Sequence, residues 1–302
     1  MTKRRKYDDQ LLIMAIPFCL LALAISYVPI AGWALSLFRY KPGLDILKGQ
    51  VGEFVGFHWF AFLLRDSNIP GVLINTLSIS FFSLFGSVVS VIFALLLTEV
   101  RSKWYKRFIQ TTTTLPNFIS WIIIYSVAFS LFSNEGVINT IIAALGGAGK
   151  VRILDNARVT WTFMSLMNIW KGAGWGAIIY LATIAGIDQE LYEAARIDGA
   201  NRLKLALHIT WPGISETFLV LMLLSVSNIL RTGMDQYLMF WNGAVASKIT
   251  VLDYYTYQIA MKSQSFNYSY ATAVGMLKSI VSVALLFTVN AIAKKVRGNS
   301  LV

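Results

Sequence analysis

The chain carries one short charged island, Glu190-Leu-Tyr-Glu-Ala-Ala-Arg-Ile-Asp-Gly-Ala-Asn201, between two long apolar segments. The island is too polar for the interior of a bilayer. It is also far shorter than the ~50 residues of the smallest ordinary domains. We therefore expect it to lie on the aqueous face of a membrane protein, in a position to contact another molecule.

The rest of the chain has the composition of a membrane protein, with 302 residues of which 56% are hydrophobic and 14% charged. Runs without a charged side chain, each longer than the ~20 residues that cross a bilayer, are Leu11–Phe38, Ser67–Thr98 and Phe108–Asn134. Further candidates with a single charge are Val159–Ala182, Pro212–Leu230 and Tyr270–Ala293. Because backbone groups in lipid must be bonded within their own segment, the sequence predicts an all-α membrane protein with six transmembrane helices.

The net charge of +11 follows a topological pattern. Six crossings place more than half of the 26 Lys and Arg residues on one side, in the segments Lys3–Lys6, Arg101–Arg107, Arg196–Lys204 and Lys294–Arg297. Basic residues beside span ends hold a segment in the cytoplasm. We therefore predict that both termini are cytoplasmic, and the charge requires no nucleic-acid partner.

The sequence lacks the motifs of an enzyme. Its two histidines, His58 and His208, form no cluster with metal-ligand spacing, and Cys19 is the single cysteine. There is no phosphate-binding loop and no dinucleotide fingerprint. We expect this chain to bind no cofactor or metal and to catalyse no reaction of its own.

The loop 183–212 has the pattern of a helix, a turn and a second helix. Asp198-Gly199 is a typical helix stop, since glycine tolerates the backbone conformation that follows a helix end. Asn201 could cap the next helix, and Pro212 suits a first helical turn. The first helix would carry three charged residues on one face, at a spacing of three: Glu190, Glu193 and Arg196.

This loop resembles the Glu-Ala-Ala loop of binding-protein-dependent ABC importer permeases. The resemblance is carried by Glu193-Ala194-Ala195, by Asp198-Gly199-Ala200 and by Pro212 at matching spacing. In that family the loop is the coupling helix, which docks into a groove on the ATP-hydrolysing subunit. The resemblance therefore implies ATPase-coupling roles for Glu193, Ala194, Ala195, Asp198, Gly199 and Ala200.

Three other stretches resemble the carbohydrate branch of these permeases, closest to the polysaccharide and oligosaccharide importers of Gram-positive bacteria. They are Leu115-Pro-Asn-Phe-Ile-Ser-Trp121, Ile169-Trp-Lys-Gly-Ala-Gly-Trp-Gly176 and Asn228-x-x-x-x-Gly-Met-Asp-Gln236. The resemblance implies the type I importer (MetI-like) fold as a single permease domain over residues 1–302, with core helices at about 72–293.

The same resemblance implies an assembly and a location. The expected partners are a second homologous permease in a heterodimer, two copies of an ABC ATPase that binds ATP and Mg, and an extracellular solute-binding lipoprotein. The chain would lie in the bacterial plasma membrane, in contact with lipid, and would pass a sugar into the cytoplasm.

Polar residues inside spans usually face a cavity or another helix, so they are candidates for contact with the cargo. Indole rings stack on sugar rings, and amide and ammonium groups bond to hydroxyls. The candidates are Trp121, Tyr125, Asn168, Trp170, Lys171, Trp175, Asn228, Arg231, Asp235 and Gln236. Lys171 could instead satisfy carbonyls of a neighbouring helix, and Lys278 departs from the family pattern, with an open role.

Two alternatives stay open. Peptide or amino-acid cargo would fit the same importer architecture. An ion-coupled secondary transporter would need a buried carboxylate, but Glu99, Glu216 and Asp235 all lie towards span ends.

Finally, Pro116 predicts a break in the third helix.

Overall fold

The computed structural model describes residues 2–41, 43, 49, 50, 52–147, 151–262 and 267–297. The chain divides into two compact units, the first comprising Met1–Ser67 with Thr256–Ser279 and the second comprising Asn68–Tyr255 with Ile280–Val302. The expectation of a single domain stays a prediction. The side chains of Lys3–Lys6, Lys295 and Arg297, which the charge argument uses, lie outside the described part.

The first unit combines a long helix with a small aromatic-rich region. Its elements are α1 (Thr2–Ala31), a 3₁₀ segment (Gly32–Leu37), β1 (Phe38–Arg39), β2 (Glu53–Phe54), α2 (His58–Arg65) and a π segment (Gln258–Lys262). The strands pair antiparallel, with Phe38 opposite Phe54. The Trp59 indole donates to the Phe38 carbonyl at 3.0 Å, which fixes α2 beside the hairpin.

The second unit is helical. Its elements are α3 (Asn68–Thr98), α4 (Lys103–Thr114), a 3₁₀ turn (Leu115–Phe118), α5 (Trp121–Phe132), α6 (Val137–Ala144), α7 (Thr160–Ala185), α8 (Gln189–Ile197), α9 (Arg202–Leu205), a π segment (Ala206–Thr210), α10 (Trp211–Ser227), α11 (Asp235–Phe240) and α12 (Ala246–Ile249). Helix α13 (Leu252–Tyr257) begins in this unit, and α14 (Tyr268–Arg297) begins in the first unit and ends in the second.

Within the described ranges, five helices are long and apolar enough to cross a membrane. They are Leu12–Leu37, Asn68–Thr98, Trp121–Ala144, Arg202–Ser227 and Tyr268–Ala291. The first, second and last agree with predicted spans to within a few terminal residues, whereas Arg202–Ser227 begins ten residues before the predicted Pro212–Leu230. The third differs in position, because α4 is a separate helix and the apolar span begins only at Trp121.

The predicted fourth span forms a helix of full length, α7, with 26 residues. It is not among the five, because glycines, tryptophans, Asn168 and Lys171 lower its mean hydropathy. A polar helix of this length suits a position among other helices rather than in lipid. Six crossings therefore remain a prediction.

The predicted break at Pro116 is confirmed. Helix α4 passes into the 3₁₀ turn Leu115–Phe118, and the chain is extended at Ile119 and Ser120 before α5 begins. Proline has no N–H and its ring clashes with the preceding turn. The break leaves backbone carbonyls that the α-helical ladder no longer satisfies.

The core of the second unit lies where α3, α7 and α10 pack together. Val91, Ala94, Ala177, Tyr180 and Ile214 are buried in one cluster there. Small side chains let the backbones approach closely, as in other membrane helices. This core holds the end of α7 against the start of α10, and so fixes the two points from which the loop 183–212 projects.

A π segment joins α9 to α10, so one continuous helix runs from Arg202 to Ser227. The separate second helix expected from the sequence is therefore the first part of this span. Pro212 lies in the first turn of α10, as predicted. Because Pro212 cannot donate an α-helical bond, the wider π turn before it keeps the helix continuous.

A close approach of α7 to α4 gives a direct test of the packing in this unit. A Cβ at Gly174 would lie 2.2 Å from the Thr113 carbonyl oxygen, whereas a Cβ at Gly172 would meet nothing within 4 Å. We expect Gly174→Ala to lower the stability by about 1–3 kcal/mol through overpacking. Gly172→Ala should leave stability unchanged or slightly raise it, since alanine favours helix. Melting temperatures of the purified variants decide, and equal values would contradict this packing.

Candidate functional site

The loop 183–212 forms the helix and turn expected from its sequence. The Asp188 carboxylate accepts from the Glu190 N–H at 3.0 Å and caps the start of α8. Helix α8 ends at Ile197, and Gly199 follows with φ +75°, the left-handed conformation that glycine tolerates. The Asn201 side chain then accepts from the Lys204 N–H at 2.9 Å. The loop is thus a capped helix with a defined exit.

Two contacts join this loop to neighbouring parts of the chain. The Tyr192 and Thr210 hydroxyls lie 2.9 Å apart, which joins α8 to the π segment. The Arg202 guanidinium lies 3.5 Å from the Glu99 carboxylate at the end of α3. Both ionic side chains are partly exposed, so that pair adds little stability. The hydroxyl contact links α8 to the segment that leads into α10.

The outward face of the loop is exposed and unusually apolar for an aqueous surface. Glu193 and Ala194 are exposed on α8. Ile197 is 87% exposed, and Leu203 and Leu207 are 67% and 53% exposed. Large apolar side chains exposed among charged residues are typical of a protein–protein interface.

A cavity of about 340 Å³ lies on the inner side of α8. Its polar lining includes Glu99, Lys106, Gln110, Tyr192 and Arg196. Arg196 lines this cavity and is also exposed, as Glu193 and Ala194 are.

A second cavity, of about 450 Å³ and called the central cavity below, lies between α3, α7 and α10. Asn168 and Asn228, two of the predicted cargo contacts, both line it. The other polar lining residues are Ser83, Ser87, Ser90, Tyr180 and Ser225, and no charged side chain is among them. The cavity presents hydroxyls and amides, which bond to sugar hydroxyls without preference for a charged cargo.

Sequence reasoning missed the contribution of α3 to this cavity. Ser83, Ser87 and Ser90 follow one another at intervals of four and three residues, which places them on one face of that helix, with Gly86 beside Ser87. Such a face of small polar residues was the available signal. On α7, Gly172 and Gly176 have the same spacing and line the same cavity.

Lys171 lies outside this cavity and is fully engaged with the backbone. Its Nζ donates to the carbonyls of Pro116 at 2.9 Å, Asn117 at 3.0 Å and Ile119. The ammonium also lies 5.5 Å from the centre of the Trp121 ring, a cation–π contact. An ammonium has three donors, so all three are used at the break between α4 and α5. This geometry matches the second role that the sequence left open for Lys171.

The predicted aromatic contacts are dispersed. Trp170 lines a separate apolar cavity of about 260 Å³ beside α5. The Trp175 ring packs edge-on against Phe118 at 5.5 Å. Tyr125 packs against the Phe240 ring at 5.1 Å. Trp170 and Trp175 are each 50% exposed, so contact with the cargo stays a prediction for these residues.

The predicted cargo contacts that follow α10 differ in their surroundings. Arg231 and Asp235 are exposed and, in the described part of the chain, do not form an ion pair with each other. Gln236 is buried and donates to the Met164 carbonyl at 2.8 Å. Burial, with the nearby charge of Asp253, raises the pKa of the adjacent Tyr237 phenol. Gln236 and Tyr237 thus belong to a packed region.

Two further observations concern metal binding and Lys278. Across the described ranges, no group of three or more His, Cys, Asp and Glu residues could hold a metal ion. Lys278 is half-buried in α14, and its role stays open.

Known proteins resemble this chain over nearly its full length. The family described as "Binding-protein-dependent transport system inner membrane component" matches residues 86–298. Protein LplB of Bacillus subtilis (strain 168) is 38% identical over 292 residues, covering 96% of this chain and 90% of LplB. The polygalacturonan/rhamnogalacturonan transport system permease protein YteP of the same organism is 37% identical over 289 residues, covering 94% and 88%.

A solved structure agrees with the fold. A chain from the crystal structure of a bacterial alginate ABC transporter, in complex with an alginate pentasaccharide-bound periplasmic protein, superposes with a TM-score of 0.86. The two chains are 28% identical, and the match covers 99% of each.

The contacts of Lys171 give a test of its role. Lys171→Met removes three bonds to carbonyls, and leaving buried acceptors unsatisfied costs about 1–3 kcal/mol. We expect a lower melting temperature for Lys171→Met. Lys171→Arg should recover it only in part, because a planar guanidinium cannot converge on three carbonyls as an ammonium does.

The matched control for Lys171→Met is Asn168→Ala, one helical turn earlier on α7. Among the described residues, Asn168 lines the central cavity and makes no hydrogen bond. Its loss should leave the melting temperature unchanged. A Lys171→Met protein with wild-type stability and weakened uptake of cargo would show that Lys171 acts on the cargo instead.

Proposed function

Since this chain belongs to the family of inner membrane components of binding-protein-dependent transport systems, we propose that it is a permease subunit of an ATP-driven importer of oligosaccharides. It is a multi-pass membrane protein with several apolar helices. It would receive the sugar from an extracellular binding protein and pass it to the cytoplasm. The exposed face of α8 is the observation that carries this proposal.

The relatives support a sugar as the cargo. YteP is named as a transport permease for polygalacturonan and rhamnogalacturonan, and the matching structure belongs to an alginate transporter. The uncharged cavity between α3, α7 and α10 offers hydroxyl and amide partners for such a cargo. Peptide or amino-acid cargo has no comparable support.

The coupling role of α8 follows from its exposure and its attachments. Glu193 and Ala194 would contact a groove on the ATPase subunit, with Ala195, Asp198, Gly199 and Ala200 shaping the helix end. The small Ala194 side chain permits close approach, and Ile197 supplies exposed apolar area. The Tyr192–Thr210 contact then links α8 to α10, which lines the central cavity.

The proposed assembly follows the family pattern. This chain would pair with a second homologous permease, two copies of an ATPase subunit that binds ATP and Mg, and an extracellular solute-binding lipoprotein. ATP hydrolysis would occur in the ATPase subunits alone. Helix α7 would supply the sixth crossing of the bacterial plasma membrane, and both termini would be cytoplasmic, as the basic segments favour.

An ion-coupled secondary transporter fits the structure less well. Such a transporter needs an ionisable group near the middle of the membrane. Glu99 pairs with Arg202 at the end of α3, and Glu216 and Asp235 are exposed near helix starts. None of these three carboxylates lines the central cavity.

The coupling role is tested by co-purification from the native membrane. We expect the wild-type chain to bring down a second permease and an ATPase. Glu193→Ala combined with Ala194→Arg should lose the ATPase and keep the permease, because it changes the exposed face of α8 without disturbing the turn at Gly199. Partners are identified and quantified by mass spectrometry.

The matched control is Glu135→Ala, which removes an exposed carboxylate in the loop between α5 and α6. It should keep both partners. Retention of the ATPase by the α8 variant at the wild-type level would exclude α8 as the coupling surface.

The central cavity gives a second test. We expect Asn168→Leu combined with Asn228→Leu to lower oligosaccharide uptake about tenfold, since two hydrogen bonds to the cargo are each worth about 0.5–1.5 kcal/mol. Uptake of labelled galacturonate and neutral oligosaccharides by vesicles containing the whole transporter measures this effect. The exposed Asn134→Leu is the control. Unchanged uptake in the double variant would place the cargo path elsewhere.

A further inference from the structure

Helix α4 carries two parallel stripes of opposite character. Trp104 and Phe108 are one helical turn apart, 74% and 54% exposed, and their rings stack with centroids 5.7 Å apart and planes 6° from parallel. Lys103 and Arg107 are also one turn apart and exposed, and each precedes one of these aromatic residues. An apolar stripe beside a basic stripe is the pattern of a helix at a membrane surface.

The cations of α4 and the turn before it are not neutralised by this chain. In the described part of the chain, Arg101, Lys103 and Arg107 have no carboxylate at ion-pairing distance. Glu99, the nearest acidic residue in sequence, lies close to Arg202 instead. Three neighbouring exposed cations without counterions favour an anionic partner.

The position of α4 along the chain places it at the membrane. Lys106 and Gln110 line one cavity with Ile184 and Ala185 at the end of α7, and Thr113 lies against Gly174 in the middle of α7, so α4 runs from the level of that end towards the middle of α7. Its 12 residues extend only about 18 Å, less than the ~30 Å hydrocarbon thickness. The helix therefore enters the bilayer beside α7 without crossing it alone, and its first turns, which carry both stripes, lie at the membrane surface.

We propose that α4 is a binding site for anionic phospholipids of the cytoplasmic leaflet. The Lys103 ammonium and the Arg107 guanidinium bind headgroup phosphate oxygens by charge-assisted hydrogen bonds. The Trp104 and Phe108 rings lie at the level of the upper acyl chains, where aromatic side chains are favoured. The placement in the cytoplasmic leaflet rests on the proposed topology, but the site does not depend on the coupling role of α8.

A phospholipid fits this surface better than a protein does. The two stripes run side by side along the helix, so the charges and the apolar groups can reach different depths of one leaflet. The exposed face of α8 differs, since it combines Glu193, Ala194 and Ile197 and carries no comparable basic stripe. A protein partner on α4 is the alternative outcome of the test.

Binding is measured by native mass spectrometry of the purified transporter complex, delipidated and titrated with phosphatidylglycerol or with phosphatidylcholine. We expect tighter binding of phosphatidylglycerol. Each juxtamembrane cation contributes about fivefold to the attraction to anionic lipid, so Lys103→Gln with Arg107→Gln should weaken phosphatidylglycerol binding about thirtyfold at low salt. Higher salt should reduce the wild-type preference.

The control removes the same charge from a different region. Arg152→Gln with Arg158→Gln changes two exposed arginines in the loop before α7 and should keep the preference for phosphatidylglycerol. Equal binding of the two lipids by the wild type, or an unchanged preference in the α4 variant, would overturn the proposal.

A photocrosslinker at position 104 identifies the occupant directly and leaves both cations in place. With Trp104→p-benzoylphenylalanine in native membranes, we expect an adduct with the mass of a phospholipid. A crosslink to the ATPase or to the second permease would show a protein contact and overturn the lipid assignment. Co-purification of the ATPase with the α4 variants at the wild-type level separates this result from a failure of the coupling loop.

Discussion

The ammonium of Lys171 stabilises the break between α4 and α5, and the position of α5 in the second unit depends on that break. A helix break near the membrane leaves carbonyls without water to bond to, and such groups are costly. Lys171 satisfies three of them. It can reach them because Gly174, three residues later, lets α7 approach the end of α4 without a side chain in between. Charge and close packing are therefore needed together, and neither would position α5 alone.

A continuous series of contacts joins the loop to the central cavity. Helix α8 contacts the π segment through Tyr192 and Thr210, and the helix beyond that segment reaches the cavity with Leu221, Ser225 and Asn228. The buried cluster around Tyr180 and Ile214 keeps α7 and α10 in register between these two points. A continuous helical backbone thus connects the loop to the cavity.

Local signals in the sequence predicted local structure well. Asp198-Gly199 marked the end of α8, Asn201 its following cap and Pro116 the break, since each acts through its own backbone or its nearest neighbours. The third span was misplaced, because absence of charge does not distinguish the amphipathic α4 from the apolar α5. The cavity serines of α3 were missed because their role depends on which helices pack beside them. The same limit applies to Lys171, whose acceptors lie more than fifty residues away along the chain.

The π segment at Ala206–Thr210 sets the rotation of α10 about its own axis relative to α8. Each residue turns an α-helix by about 100°, so a residue more or fewer in this segment would rotate α10 by roughly that angle relative to α8. The loop would still fold and the span would still cross, but the cavity-lining face would point elsewhere. The proposed coupling role therefore depends on the number of residues between α8 and Pro212, and substitutions in that segment should be tolerated more readily than insertions or deletions.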